Sequence, residues 1–171
     1  AGMLGSFGAA GLSVERVTQA IDRLQASLGD RPYCVNLIHS PNEPAHEAAV
    51  AELFLRRGVS RVEASAYLDL TPPIVRYRLA GLTRGPDGGV IVHNKVIAKV
   101  SRVEVATKFL SPAPPRIVQE LLKAGQITAD QADEFMPHWA PDGREVAFYR
   151  FGRDGRRAMM TVPSGGGAPR P

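Results

Sequence analysis

Asn36 lies inside the apolar run YCVNLI, and His39 opens the loop HSPNEP that follows it. A side-chain amide within an apolar strand needs a hydrogen-bond partner if it is buried. Contact with a ligand and a bond to a neighbouring strand both meet that need. A histidine just past a strand end can give a proton or a hydrogen bond to a substrate, although an ordinary loop histidine is the plainer reading. Lys99, inside VIAKV, raises the charged form of the same question, because a buried ammonium is costly without an anionic partner. A bound anion is one such partner, and Glu63 of RVEASAY is the other, as a plain strand-to-strand ion pair. Gly5, Gly8 and Gly11 fall at a strand-to-helix turn, where backbone N–H groups can come close to a phosphate. Tight turning and close packing explain the same glycines without a ligand, and their spacing is not that of a dinucleotide fingerprint.

Other chemistries find little support. His46, His93 and His138 show no ligand spacing with one another or with Cys34, so no metal site is expected. The single cysteine excludes an intrachain disulfide, reads as a small buried hydrophobe, and fits a reducing, cytoplasmic setting. Neither a nucleophile elbow nor a P-loop is present. The net charge of +4 is uneven: six of the 21 Lys+Arg and three of the 17 Asp+Glu follow residue 136, leaving 15 against 14 before it. Arg144, Arg150, Arg153, Arg156 and Arg157 carry most of the excess, and without a nucleic-acid motif they read as a solvated face.

The elements that must position these residues follow from periodicity. A chain of 171 residues with 44% hydrophobic and 22% charged residues is that of a globular protein of about one domain. No apolar run approaches the roughly 20 residues of a membrane helix, so no membrane partner is expected. The chain lacks an initiator Met and reads as an excerpt of a longer protein. MLGSFG is a strand, and SVERVTQAIDRLQASLG a helix with Ser13 as N-cap, Gly29 past its end, and Val14, Val17, Ile21, Leu24 and Leu28 on one stripe. YCVNLI then leads through HSPNEP into a helix from just after Pro44 to Gly58. RVEASAY leads through LDLTPP into IVRYRLAGL, and VIAKV into SRVEVATKFL, which makes four βα units. Their short, nearly uniformly apolar strands suit a parallel sheet covered by helices. TRGPDGGVIVHN reads as a small hairpin around Pro86, Asp87 and Gly88. Beyond an extended linker SPAPP come the helix PRIVQELLKAG, with Ile117, Val118, Leu121 and Leu122 apolar, and a short helix opened by the capping box Thr128 and Gln131. The remainder reads as a β-hairpin turning at Arg153, Asp154 and Gly155.

The runs GMLGSFGAAGLS, PYCVNLIHSPNEP, RRGVSRVEASAYLDLTPPIVRYR and NKVIAKVSRVEVATKFL resemble the PfaD-type enoyl reductases of polyunsaturated fatty acid and trans-acyltransferase polyketide synthases. That group is a branch of the FMN-dependent 2-nitropropane dioxygenase-like flavoproteins. The resemblance covers residues 1–134 and implies part of a (β/α)8 TIM barrel, with FMN at the C-terminal ends of the strands and NAD(P)H as reductant. It implies an enoyl thioester on an acyl carrier protein as substrate, and places Gly5, Gly8, Asn36 and Lys99 as cofactor-binding candidates. A reduced flavin or its phosphate becomes the expected anionic partner of Lys99, and His39 the catalytic candidate at the barrel's catalytic face. Typical barrels need about 250 residues, so four units are half of one, and the chain alone is expected to be inactive.

Residues 135–171, through the run PHWAPDGREVAFYRFGRDGRRAMMTVPSGGGAPRP, resemble one TolB-type β-propeller repeat. Ala140 stands where Ser is usual, and Ser164, Gly165 and Gly166 replace the closing acidic pair. One repeat is not a propeller, because blades need neighbours to close a ring. The competing expectation is a non-catalytic assembly or interaction fragment, either a propeller piece or a half-barrel whose exposed sheet edges lead to a homo-oligomer.

Overall fold

The computed structural model describes residues 3–86, 90–133, 138–139, 144–151, 157–163 and 170. The strand expected at MLGSFG reduces to Ser6–Phe7 (β1). Ser13 Oγ accepts from the N–H of Arg16 at 3.4 Å and opens the helix Val14–Leu28 (α1), which Gly29 ends at a φ of 55°. Cys34–Ile38 (β2) and Pro44–Arg56 (α2) form the second unit, with Pro44 in the first turn, where its missing N–H costs nothing. Arg61–Ser65 (β3) is followed by Pro72–Ala80 (α3), another helix that begins at proline. Leu82–Arg84 (β4) and Val90–Val92 (β5) pair antiparallel as the expected hairpin. Lys95–Lys99 (β6) then returns to the main sheet.

That sheet is wholly parallel, in the order β1-β2-β3-β6. Its register aligns Val35 with Val62 and Val96, and Leu37 with Ala64 and Ala98. Successive side chains of a strand point to opposite faces, so these residues form one apolar face. Val35, Leu37, Val62 and Ala64 join Val17 and Ile21 of α1, Phe54 of α2, and Ile74 and Leu79 of α3 in a single core. The opposite face carries Cys34, Asn36, Arg61, Glu63, Ser65, Lys95, Ile97 and Lys99.

Two expectations need correction. First, β6 is not a covered apolar strand: Lys95, Ile97 and Lys99 are exposed, because β6 is the edge of the described sheet. Second, the helix after β6, Val103–Leu110 (α4), is not the one that extends the helical layer. It buries only Val105 and leaves Val103 and Leu110 largely exposed. Its Lys108 Nζ donates to Leu68 O at 3.2 Å and pairs with Asp69 at 2.9 Å, which places α4 over the loop that follows β3. The layer is continued by Pro115–Lys123 (α5), which packs on α3 and buries Ile117, Val118 and Leu121. Ala113 of the expected linker is itself part of the core.

Thr128 and Gln131 form the reciprocal capping box at the start of Ala129–Asp133 (α6): the Thr128 N–H donates to Gln131 Oε1 at 2.9 Å, and the Gln131 N–H to Thr128 Oγ1 at 3.2 Å. Farther on, His138–Trp139 (β7), Glu145–Phe151 (β8) and Arg157–Pro163 (β9) make a separate antiparallel sheet in the order β7-β8-β9. The expected hairpin is therefore present. Asp87, Gly88, Ala140, Arg153, Asp154, Gly155, Arg156, Ser164, Gly165 and Gly166 lie outside the described residues. Among the described residues, no helix is long and apolar enough to cross a membrane.

Candidate functional site

His39 is the first residue past β2, and its N–H donates to Ser65 O at 3.0 Å, extending the pairing with β3 by one step. Its ring Nδ1 lies 2.7 Å from Oε2 of Glu47, on the first turn of α2. Glu47 is only 2% exposed. Tyr67 donates its hydroxyl to Glu47 Oε1 at 3.0 Å, and the Thr71 hydroxyl donates to the same oxygen. The Tyr67 ring stacks on His39 with centroids 5.3 Å apart and meets Phe109 of α4 edge-on at 5.7 Å. Burial, and then the neighbouring Glu47, push the Tyr67 phenol well above its ordinary range, so the hydroxyl stays a proton donor.

Ala66 joins β3 to Tyr67 at a φ of 62°, the one positive φ at a non-glycine residue among the described residues. Such a conformation costs on the order of 1–3 kcal/mol and persists only where the surroundings over-determine it. Here Tyr67 is held by Glu47, His39 and Phe109 at once. Beside the turn is a cleft of about 260 Å³ at the C-terminal ends of β3 and β6, lined by Ala66, Tyr67, Leu68, Lys99, Ser101 and Arg102 among others.

Asn36 is buried, and its Nδ2 donates to Glu63 O at 3.0 Å and to Ser65 Oγ at 2.8 Å. The bond to a neighbouring strand is thus made, while Oδ1 carries no hydrogen bond among the described residues. Lys99 does not meet the premise of a buried ammonium. Its side chain is 69% exposed, and Nζ pairs with Glu63 Oε1 at 2.9 Å. The hydrogen bond from Lys99, helped by the Ser6 hydroxyl, holds the Glu63 carboxyl below its ordinary range. Gly8 follows β1 and shares the C-terminal end of the sheet with His39 and Lys99, whereas Gly5 precedes β1, where its carbonyl accepts from Cys34 N at 2.9 Å. A Cβ at Gly5 or Gly8 meets nothing within 4 Å, so close packing does not demand either glycine.

One consequence concerns stability. Lys99→Met should change the unfolding free energy at neutral pH by less than about 1 kcal/mol, the worth of an exposed pair. Glu63, with its pKa depressed, contributes stability above its unfolded pKa and loses it as pH falls. The variant should therefore lose less stability than the parent between neutral pH and acid, which urea melts at several pH values would show. Equal acid sensitivity would mean that the Lys99 pair contributes nothing.

Sequence reasoning found His39 but missed Glu47, Tyr67 and Thr71. Glu47 reads as one more polar residue near a helix start, and Tyr67 as the last residue of a strand that in fact ends at Ser65. The polar spacing His39 to Glu47, across HSPNEPAHE, is the one available signal, and it becomes meaningful only when α2 folds back beside β2.

Fold and cluster together define an α/β domain with one parallel sheet and a polar site past the C-terminal ends of its strands, where enzymes of that architecture keep their chemistry. Comparison with known proteins agrees with that class. Two different polyunsaturated fatty acid synthase subunits of a Thraustochytrium species match the chain, one at 50% identity over 131 residues and the other at 52% over 132 residues. It is 47% identical over 134 residues to the polyketide biosynthesis protein PksE of Bacillus subtilis. These matches cover 77–78% of this chain but 9%, 6% and 18% of those relatives, so the chain spans less than a fifth of each. Among solved structures, the enoyl reductase domain of MlnA, from the macrolactin biosynthesis cluster of Bacillus amyloliquefaciens, superposes with a TM-score of 0.73 at 39% identity. That likeness covers 77% of this chain and 30% of the other. No family model matches the chain.

Proposed function

We propose that residues 1–134 are a portion of a (β/α)8 barrel of the FMN-dependent enoyl reductase type, serving polyunsaturated fatty acid or polyketide synthesis in the cytoplasm. The observation that carries this reading is the 39% identity and TM-score of 0.73 to the MlnA enoyl reductase domain. The consecutive order of four parallel strands supports it, since barrel strands are added one after another in the same direction. The substrate class is an enoyl thioester carried on an acyl carrier protein. FMN, when bound, supplies the two-electron carrier between NAD(P)H and that thioester.

The residues of this chain have separate tasks in this reading. Gly8 leaves open space at the end of β1, Asn36 offers its free Oδ1 from the polar sheet face, and Lys99 supplies positive charge at the end of β6. These three would hold the flavin. Gly5, at the other end of β1, is the weakest of the cofactor-binding candidates. His39 would take up a proton on Nε2 and pass it to the α-carbon of the reduced thioester. Residues 135–171 form a second unit of the propeller-repeat type, a reading supported by the antiparallel order β7-β8-β9.

The cleft of about 260 Å³ falls below the roughly 300–1,000 Å³ of a cofactor pocket, which supports a site shared with further barrel residues. The isolated chain, mixed with FMN and passed through gel filtration, should therefore elute colourless and reduce no enoyl thioester with NADPH. Retained flavin near one per chain, with turnover, would overturn the incomplete-barrel reading. A self-associating, non-catalytic assembly piece is the second reading. It is favoured by the exposed Ile97 on the sheet face and by the edge strand β6. A sharp monomer peak in light scattering would sink it.

A further inference from the structure

We propose that Glu47 is a positioning residue that fixes His39 as its Nδ1–H form, leaving Nε2 as the only ring atom able to exchange a proton with a bound molecule. The functional use of Nε2 rests on the enoyl reductase reading; the assignment of the proton does not.

Three side chains converge on one carboxylate. Oε1 of Glu47 faces two hydroxyls, Tyr67 and Thr71, and Oε2 faces His39 Nδ1 at 2.7 Å. The Tyr67 phenol keeps its proton because burial and the Glu47 charge both oppose its loss. An ionised carboxylate can accept from all three groups, and charge-assisted bonds of this kind are the strong ones. Glu47 also sits in the first turn of α2, where the helix dipole favours a negative charge. With Glu47 ionised, Nδ1 must carry hydrogen, since two bare acceptors 2.7 Å apart would repel.

The ring is held as well as protonated. Tyr67 stacks on its face at an interplanar angle of 27°, and the His39 backbone is tied to Ser65 O. A ring flip would replace Nδ1 by a carbon against Oε2 and lose the bond. Nε2, across the ring from Nδ1, makes no hydrogen bond among the described residues, and the side chain keeps 22% of its exposure. In histidines of this kind the bond at one nitrogen decides the state of the other. The same carboxylate thereby orients Tyr67 and the turn at Ala66, so one buried group organises the loops after both β2 and β3.

The test is the nitrogen spectrum of the His39 imidazole in the full chain, recorded at a pH where the ring is neutral. The expected result is a protonated Nδ1 and a bare Nε2. A predominant Nε2–H form would overturn the assignment, because Glu47 would then be a proton donor to Nδ1 rather than its acceptor. Glu47→Gln, whose carbonyl serves the Tyr67 and Thr71 hydroxyls and so turns its N–H towards Nδ1, should move the proton population from Nδ1 towards Nε2; a tautomer unchanged both there and in Glu47→Ala, which has no acceptor at all, would equally overturn it. Neither readout needs flavin or substrate. Failure of the enoyl reductase reading would appear instead as absent turnover in a completed barrel that carries these residues, with the Nδ1–H form intact.

Discussion

Glu47→Ala should lower the unfolding free energy by about 2–4 kcal/mol, the combined cost of orphaned buried donors and of the cavity left behind. Three donors lose their acceptor at once. His39, part-exposed, can turn to water, but the Tyr67 hydroxyl is attached to a ring that is 4% exposed and cannot leave without unstacking from His39 and Phe109. An orphaned buried hydroxyl costs about 1–3 kcal/mol, and the lost side-chain volume adds a cavity. Tyr67→Phe is the control: it removes one hydroxyl while Glu47 keeps His39 and Thr71, and should cost only about 1 kcal/mol. Chemical denaturation of both variants checks the contrast. A loss below about 1 kcal/mol in Glu47→Ala would mean that the cluster is not a structural node, whatever its geometry.

Gly81→Ala should destabilise by roughly 1–3 kcal/mol through overpacking. The backbone there has an ordinary φ of −92°, so conformational preference is not the obstacle. The obstacle is space: an added Cβ falls 2.5 Å from the Cβ, Cγ and backbone N of Asn94. Asn94 cannot easily retreat. Its Nδ2 donates to Tyr77 O at 2.7 Å, and its carbonyl accepts from Arg78 Nη1 at 3.0 Å. Next to it, the His93 N–H donates to Gly81 O at 2.8 Å and the Lys95 N–H to Ser60 O at 2.9 Å, which seats β6 beside β3. Pushing Asn94 away therefore shifts the strand that carries Lys99 and one wall of the cleft. Gly8→Ala, with nothing within 4 Å of its new Cβ, should stay within about 0.5 kcal/mol of the parent. Equal effects at the two glycines would contradict the steric account.

The contrast between legible and illegible features follows the range of the interaction. Ser13 with Arg16, and Thr128 with Gln131, are contacts three residues apart, and residue type alone specifies them. The α/β class and the parallel strands were equally readable, because β2 is apolar enough to be covered on both faces. The exposure of Lys99 is illegible for the opposite reason. An apolar run does not reveal whether its strand lies at an edge, and at the edge β6 alternates between exposed and half-buried positions. Periodicity also found both α4 and α5 as amphipathic helices without telling which of them extends the helical layer. The Glu47 cluster joins residues 8, 20 and 24 positions apart in sequence, and only the return of α2 and the loop after β3 to the same strand end brings them together.

The most direct test of the central claim places these residues in a complete frame. Residues 3–133 would replace the matching segment of the MlnA enoyl reductase domain, and the purified chimera would be assayed for bound FMN and for NADPH-dependent reduction of an acyl carrier protein-linked enoyl thioester. The predicted result is a yellow protein that reduces the thioester, and that loses most of its turnover but keeps its flavin when His39 is changed to Ala. A folded chimera that binds no flavin, or one that binds it and reduces nothing, would contradict the claim that this chain is built as part of such a reductase.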